Sequence, residues 1–504
     1  MINIKDIFNY SEENPLLFTR IYFWIFFTIL LLLYSIIYRR KALRNVYLFL
    51  MSLFFYFKSG GYFFSLLIIS TVVDYTVGLL IHQSKSTPVR KLYVALSLLV
   101  NLGMLAYFKY TYFLTDVFNQ VFNGQVETVN ILARWSNNYL GSHFDISRII
   151  LPVGISFFTF QTISYTLDVY RGKVEPVRNI LDFGFYVSFF PQLVAGPIVR
   201  AADFIPQLYR EFELSVREMG HAFFLILSGL VKKMLISDYI SINFVDRVFS
   251  DPLAYTGFEN LMGVYGYSLQ IYCDFSGYTD IAIGVGLLLG FRLPVNFNSP
   301  YKAGNISNFW KRWHISLSSW LRDYLYIPLG GSRKGRIRTG VNLLITMLLG
   351  GLWHGASLRF VIWGGLHGVG LVFHKLWLRF FPVKRKPSRL RKFLTVFLTF
   401  HFVTLLWIVF RADNLSIARN MVEQILYHFS PDLIPQMIWS YKLVFSIITA
   451  GFIIHWLPSS FKDKYRGFFI RIPLYVKIII FIVVIIIIYQ AKSSVIQPFI
   501  YFQF

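Results

Sequence analysis

Two histidines stand in unusual surroundings in this 504-residue chain. His354 closes an apolar run and sits in LLGGLWHGAS, residues 348–357; His314 sits in NFWKRWHISLSSWLRDY, residues 308–324. Imidazole titrates near neutral pH and suits the role of general base. A polar ring in hydrocarbon costs free energy unless it has a partner, so each ring is either hydrogen-bonded filler or a chemical group. Gly350, Gly351 and Gly355 let a neighbouring backbone or a substrate come close to His354. On physics alone its two readings are level. His367 and His374 lie seven residues apart on the next segment. No HExxH spacing surrounds them, so they read as structural and no metal site is expected. The chain has no GxSxG elbow and no P-loop, and its one cysteine, Cys273, rules out a disulfide framework or a cysteine-rich metal centre.

The elements that must position these rings are membrane helices. Hydrophobic residues make up 56% of the chain and charged residues 15%, too apolar for a soluble domain. Runs long enough to cross a bilayer recur at 21–38, 61–81, 92–114, 221–236, 394–410 and 476–489, among roughly a dozen candidates by length. The fold class is therefore an all-α polytopic membrane protein. The net charge of +24 does not point to nucleic acid. Its basic residues cluster between apolar runs, at Arg39–Arg44, Lys85–Lys91, Arg333–Arg338 and Lys384–Lys392, as in cytoplasmic loops that touch anionic lipid. That asymmetry puts the N-terminus outside. Asp6, Glu12 and Glu13 give the N-terminal segment the wrong charge for a signal peptide.

Residues 115–147 are polar enough for a surface excursion. LPVGISFFTFQTISYTLDVYRG, 151–172, and FYVSFFPQLVAGPIVRAADFIPQL, 185–208, carry Pro152, Gly154, Pro191 and Pro197 and read as broken or re-entrant segments. Asp274 and Asp280 are acids in or beside a membrane segment, either functional in the bundle interior or placed at an interface as helix caps. Gly284, Gly286 and Gly290 read as helix packing. Placed on one helix, residues 308–324 put Trp310, Trp313, Leu317, Trp320, Leu321 and Tyr324 on one stripe, with Lys311, Arg312, Ser319, Arg322 and Asp323 opposite. That is an interfacial amphipathic helix, with His314 at the edge of its aromatic stripe. Beyond residue 380 the chain reads as scaffold, about 393–504.

WKRWHISLSSWLRDYLYIPLGG followed by LITMLLGGLWHGAS resembles the membrane-bound O-acyltransferases, and most nearly the branch of the alginate O-acetyltransferase integral-membrane subunit. LPVGISFFTFQTISYTLDVYRG, FFPQLVAGPIVRAADFIPQL and DFSGYTDIAIG support the resemblance, which covers about residues 50–375. It implies one integral-membrane domain over 1–504, a ring of tilted helices around a thin centre where funnels from both sides meet. It implies that His354 is the catalytic histidine and His314 the second motif histidine. The activity implied is transfer of an acyl group, commonly acetyl, across the inner membrane to an exported or envelope polysaccharide, with an exported hydrolase-like partner. The donor would be acetyl-CoA or another acyl thioester and no cofactor is implied. Its phosphates would meet Arg312, Arg322, Arg333 and Lys334, with Trp310 and Trp313 nearby. On that picture His314 stands towards the donor-side mouth, although the family leaves room for both rings at one centre. D-alanyl transfer from a carrier protein is the nearest alternative. A secondary transporter using Asp74, Asp274 and Asp280, or a silent envelope scaffold, stands further off.

Overall fold

The computed structural model describes residues 9–11, 15–194, 196–382 and 388–491. Asp6, Glu12, Glu13 and Lys384 lie outside the described residues, as does the C-terminal end of the expected scaffold. Among the described residues every regular element is a helix. Four helices are long and apolar enough to cross a membrane, at Lys41–Gln83, Thr87–Phe122, Val216–Ser250 and Arg389–Arg411. The number rises to six if the bent pairs Pro431–Ser440 with Lys442–Trp456 and Ser459–Arg471 with Leu474–Gln490 each form one span. This is fewer than the sequence runs predict. Ile21–Ile37 is a 17-residue helix, short for a full crossing. The helices at Gly257–Leu288 and Leu358–Phe380 are long, but they carry glycines and polar groups on the faces they bury in protein.

The chain groups into two compact units. One holds the chain up to Val194 with Ile198–Phe212 and Gly355–Ser357; the other holds Glu213–His354 and the chain from Leu358 onward. In the first, the break at Pro152–Gly154 is real. Gly154 has φ +75°, and a Cβ there would lie 2.6 Å from the Leu193 carbonyl oxygen, so only glycine fits. The helix it starts, Ile155–Tyr170, is buried over nearly its whole length. Several of its polar side chains bond to protein, as in Gln161 Nε2 donating to the Tyr186 carbonyl at 2.6 Å and Ser164 Oγ donating to the Gln161 carbonyl at 2.7 Å. Asp74 is fully buried and accepts hydrogen bonds from Ser97, from Asn101 Nδ2 at 2.7 Å and from Thr166 Oγ1 at 2.8 Å. The polar stretch 115–147 takes in the end of the helix Thr111–Phe122 and all of Ile131–Leu140, whose described residues are largely exposed.

The second unit is built on the 32-residue helix Gly257–Leu288, started by a Thr256/Glu259 capping box. The Val216–Leu230 helix lies against it through small residues. A Cβ on Gly229 would meet the Gly277 carbonyl oxygen at 2.5 Å, and one on Gly284 would meet the Ala222 carbonyl oxygen at 2.8 Å. Gly284 is thus the packing residue its pattern suggests. The following π-helical turn, Val231–Ser237, carries Lys232 and Lys233. Lys232 pairs with Asp280, and Lys233 with both Asp274 and Asp238. Asp274 is therefore buried and Asp280 half-buried within the Gly257–Leu288 helix, neither capping a helix nor standing as open carboxylates.

The helices Arg336–His354 and Leu358–Phe380 form a hairpin whose crossing is closer still. A Cβ on Gly351 would lie 2.1 Å from the Phe360 carbonyl oxygen, and one on Gly364 would lie 2.2 Å from that of Met347. Backbone cannot yield to such an overlap, so Gly351→Ala should force the helices apart. Overpacking of this kind costs about 1–3 kcal/mol. Gly103, on the Thr87–Leu105 helix with open space where a Cβ would go, is the matched control. Thermal unfolding in detergent should show a lowered midpoint for Gly351→Ala and none for Gly103→Ala; equal midpoints would refute the account of the crossing.

Candidate active site

The expected amphipathic helix over 308–324 does not form as one element. It divides into Ile306–Trp310 and Ile315–Leu321, followed by a π-helical turn at Arg322–Tyr326. The cause is Asn296, in the irregular segment before it. Its carbonyl accepts from the Ile315 amide at 2.9 Å, and its Oδ1 accepts from the Ser316 amide at 3.1 Å and the Ser316 hydroxyl at 2.8 Å. A continuous helix would have given those amides to carbonyls one turn earlier. The break leaves His314 at φ +42°, in the left-handed region that a non-glycine residue enters only when its surroundings hold it there.

This break turns His314 inward. The residue is 0% exposed, not at the edge of a surface stripe. Its ring meets the ring of Phe275 edge-on at 4.6 Å between centroids and lies 5.8 Å from that of Trp353. The aromatic stripe is also interior. Trp313 stacks on Phe309 at 5.6 Å and lies 5.1 Å from Trp407, while Trp310 packs against Trp363 and His367. Trp310 and Trp313 are thus walls of a buried cluster. They are not anchors at headgroup depth.

His354 is the last residue of the Arg336–His354 helix, one turn beyond the Gly351 crossing. Its ring is enclosed by Trp353 at 5.1 Å, Trp363 at 5.2 Å and Phe410 at 5.4 Å, all three edge-on. The centroids of the His314 and His354 rings are 6.5 Å apart. A single hydroxyl could reach one nitrogen of each ring at that separation, because each hydrogen bond spans about 2.7–3 Å. The arrangement suits proton abstraction from an alcohol in a site that aromatic side chains keep poor in water.

The basic residues expected around this centre are dispersed. Arg312 donates to Asn308 Oδ1 at 2.8 Å and to the Asn298 carbonyl at 3.1 Å. Arg322 is exposed and pairs with Asp323, whose hydrogen bond pushes the guanidinium pKa up. Arg333 and Lys334 are exposed on the turn that precedes the Arg336–His354 helix. Sequence reasoning missed Asn296, Trp363 and Phe410. Asn296, between apolar residues in PVNFNSP, is the positioning residue for His314. Trp363 touches both His354 and His367, and His367 is fully buried and stacked on Phe309. The signal for Trp363 is its place two residues before the Gly365 that follows the crossing glycine. Phe410, more than fifty residues downstream, gives no local signal.

Residues 21–410 match the family model for MBOAT, the membrane-bound O-acyltransferase family. The chain is 37% identical over 405 residues to the peptidoglycan O-acetyltransferase of Helicobacter pylori, an alignment that covers 75% of this chain and 73% of the relative. It is 40% identical over 354 residues to the probable alginate O-acetylase AlgI of Pseudomonas aeruginosa, covering 70% of this chain and 64% of the relative. Similarity extends to the teichoic acid D-alanyltransferase of Bacillus subtilis, at 29% identity over 278 residues, 52% of this chain and 69% of the relative. The family expected from the two histidine motifs is thus matched across most of the chain and by several relatives. This chain is a multi-pass membrane O-acyltransferase and belongs to the membrane-bound O-acyltransferase family.

Proposed function

We propose that the chain transfers an acetyl group from a cytoplasmic thioester, acetyl-CoA, across the inner membrane for O-acetylation of an exported or cell-envelope polysaccharide. The observation that carries the reading is the pair of buried histidine rings 6.5 Å apart within an aromatic chamber. The relatives named for alginate and peptidoglycan acetylation supply the acyl group and the acceptor class. In the reaction, the His354 imidazole takes the proton of the acceptor hydroxyl as its oxygen attacks the thioester carbonyl. The carbon–sulfur bond breaks and the thiolate leaves as the free thiol after taking up a proton, so proton and acyl group balance. His314 shares the centre and orients or relays the same proton. Arg322, Arg333 and Lys334 are the candidate contacts for the donor phosphates. An exported hydrolase-like protein is the expected partner that completes delivery to the polymer.

A second reading, D-alanyl transfer from a carrier protein, is favoured by the Bacillus subtilis relative, though at lower identity. Transport by way of Asp274 and Asp280 has little support, because each is neutralised by a lysine.

His354→Ala should reduce acyl transfer by about 10²–10⁴ in rate, the usual loss of a general base, with insertion and folding unchanged. Acetyl-CoA turnover by the purified variant with its partner present measures this, and wild-type turnover would end the assignment.

His314 should behave like His354 and not like a donor-binding residue. His314→Ala and His314→Gly should both collapse kcat with KM for acetyl-CoA little changed, since an interaction made in the transition state is lost. Glycine accommodates φ +42°, so activity retained in His314→Gly alone would show that the backbone turn matters and the ring does not.

The segment Arg333–Arg338 should face the cytoplasm, with the N-terminus outside. In a background lacking Cys273, a cysteine at position 335 should resist an impermeant reagent added from the periplasm. Labelling from that side would overturn the orientation.

A further inference from the structure

Within the second unit, the helices Arg389–Arg411 and Lys442–Trp456 border a cavity of about 1280 Å³ that no step of acyl transfer uses. It exceeds the roughly 300–1,000 Å³ that a drug-sized ligand fills. Its walls are apolar and largely aromatic, with Phe393, Phe397, Phe400, Phe452 and Trp456. Its polar rim is cationic: Lys302, Arg312, Arg389 and Lys392 all line it, and among the described lining residues there is no aspartate or glutamate.

Among the described residues, the acceptors seen for Lys302 and Arg312 are neutral. Lys302 Nζ donates to the Leu457 carbonyl at 2.5 Å, and Arg312 donates to Asn308 and to the Asn298 carbonyl. A fifth cation, Lys462, reaches the rim by donating to Ser299 Oγ at 3.2 Å. Burial and the nearby charges of Arg312 and Lys392 hold the Lys302 ammonium below its ordinary pKa. Like charges gathered at one mouth repel unless an anion lies among them. Among the described lining residues there is none, and the same cavity is lined by the exposed aromatic side chains Phe393 and Phe397.

We propose that this cavity binds an anionic phospholipid, with its phosphate among Lys302, Arg312, Arg389 and Lys392 and its acyl chains along Phe393, Phe397, Phe452 and Trp456. Charge complementarity selects the headgroup, and the continuous aromatic wall selects a lipid over a soluble anion. Basic pockets between membrane helices recognise lipid headgroups by this chemistry. Arg312 then serves the lipid and not the acyl donor.

The test uses the full chain in nanodiscs of mixed phosphatidylcholine and phosphatidylglycerol, with retained lipid read by native mass spectrometry. Wild type should retain phosphatidylglycerol preferentially. Arg389→Gln with Lys392→Gln should lower that preference about tenfold or more, while Arg217→Gln, an exposed cation on another helix, should not. Equal retention of the two lipids by wild type, an unchanged preference in the double variant, or displacement of phosphatidylglycerol by free coenzyme A would overturn the proposal. A readout that does not depend on the double variant folding is quenching by brominated phosphatidylglycerol. Wild-type fluorescence should be quenched more than that of Trp456→Phe, and equal quenching would count against the site.

Discussion

The site depends on two helices meeting without side chains between them. At the Gly351–Gly364 crossing the glycine Cα positions face each other directly, and any Cβ would strike a carbonyl. In lipid, helices gain no hydrophobic advantage from associating, and close van der Waals approach is what holds them. The crossing fixes where the Arg336–His354 helix ends relative to the face that carries Trp363. His354 is therefore delivered against Trp363, and Trp363 in turn touches His367, Trp407 and Phe410. The chamber of rings follows from a contact between backbones.

Each unit solves the problem of buried charge differently. In the first, Asp74 is surrounded by hydroxyls and an amide, which satisfy its oxygens without a counter-ion. In the second, Asp274 and Asp280 meet Lys233 and Lys232 directly. Removing one member of a buried pair leaves an uncompensated charge and costs about 3–5 kcal/mol.

Much of this was legible in the sequence and some was not. Pro152 with Gly154, and the packing role of Gly284, follow from local chemistry and were readable. The histidine motifs were readable as a family signature. The helix over 308–324 was misread because periodicity sees only the segment itself. The apolar stripe was correct, since Trp310, Trp313, Leu317 and Trp320 are all buried. What faced the stripe was protein, and what broke the helix was Asn296, a hydrogen-bond competitor outside the window. The cavity near Arg389 escaped notice for a similar reason: Lys302, Arg312 and Lys392 are spread along ninety residues and converge only in the folded unit.

The lysine–aspartate pairs bear on how the chain enters the bilayer. The Val216–Ser250 stretch carries Lys232 and Lys233, and the Gly257–Leu288 helix carries Asp274 and Asp280. A single charged residue at mid-membrane costs about 2.5–3.5 kcal/mol to insert. Two on one helix would cancel much of its apolar gain. The helices follow one another in sequence, separated by a short connection at residues 251–256, and close contact through Gly229, Gly277 and Gly284 needs no other element. Each helix is therefore suited to burial only beside the other, because the lysines of one neutralise the aspartates of the next.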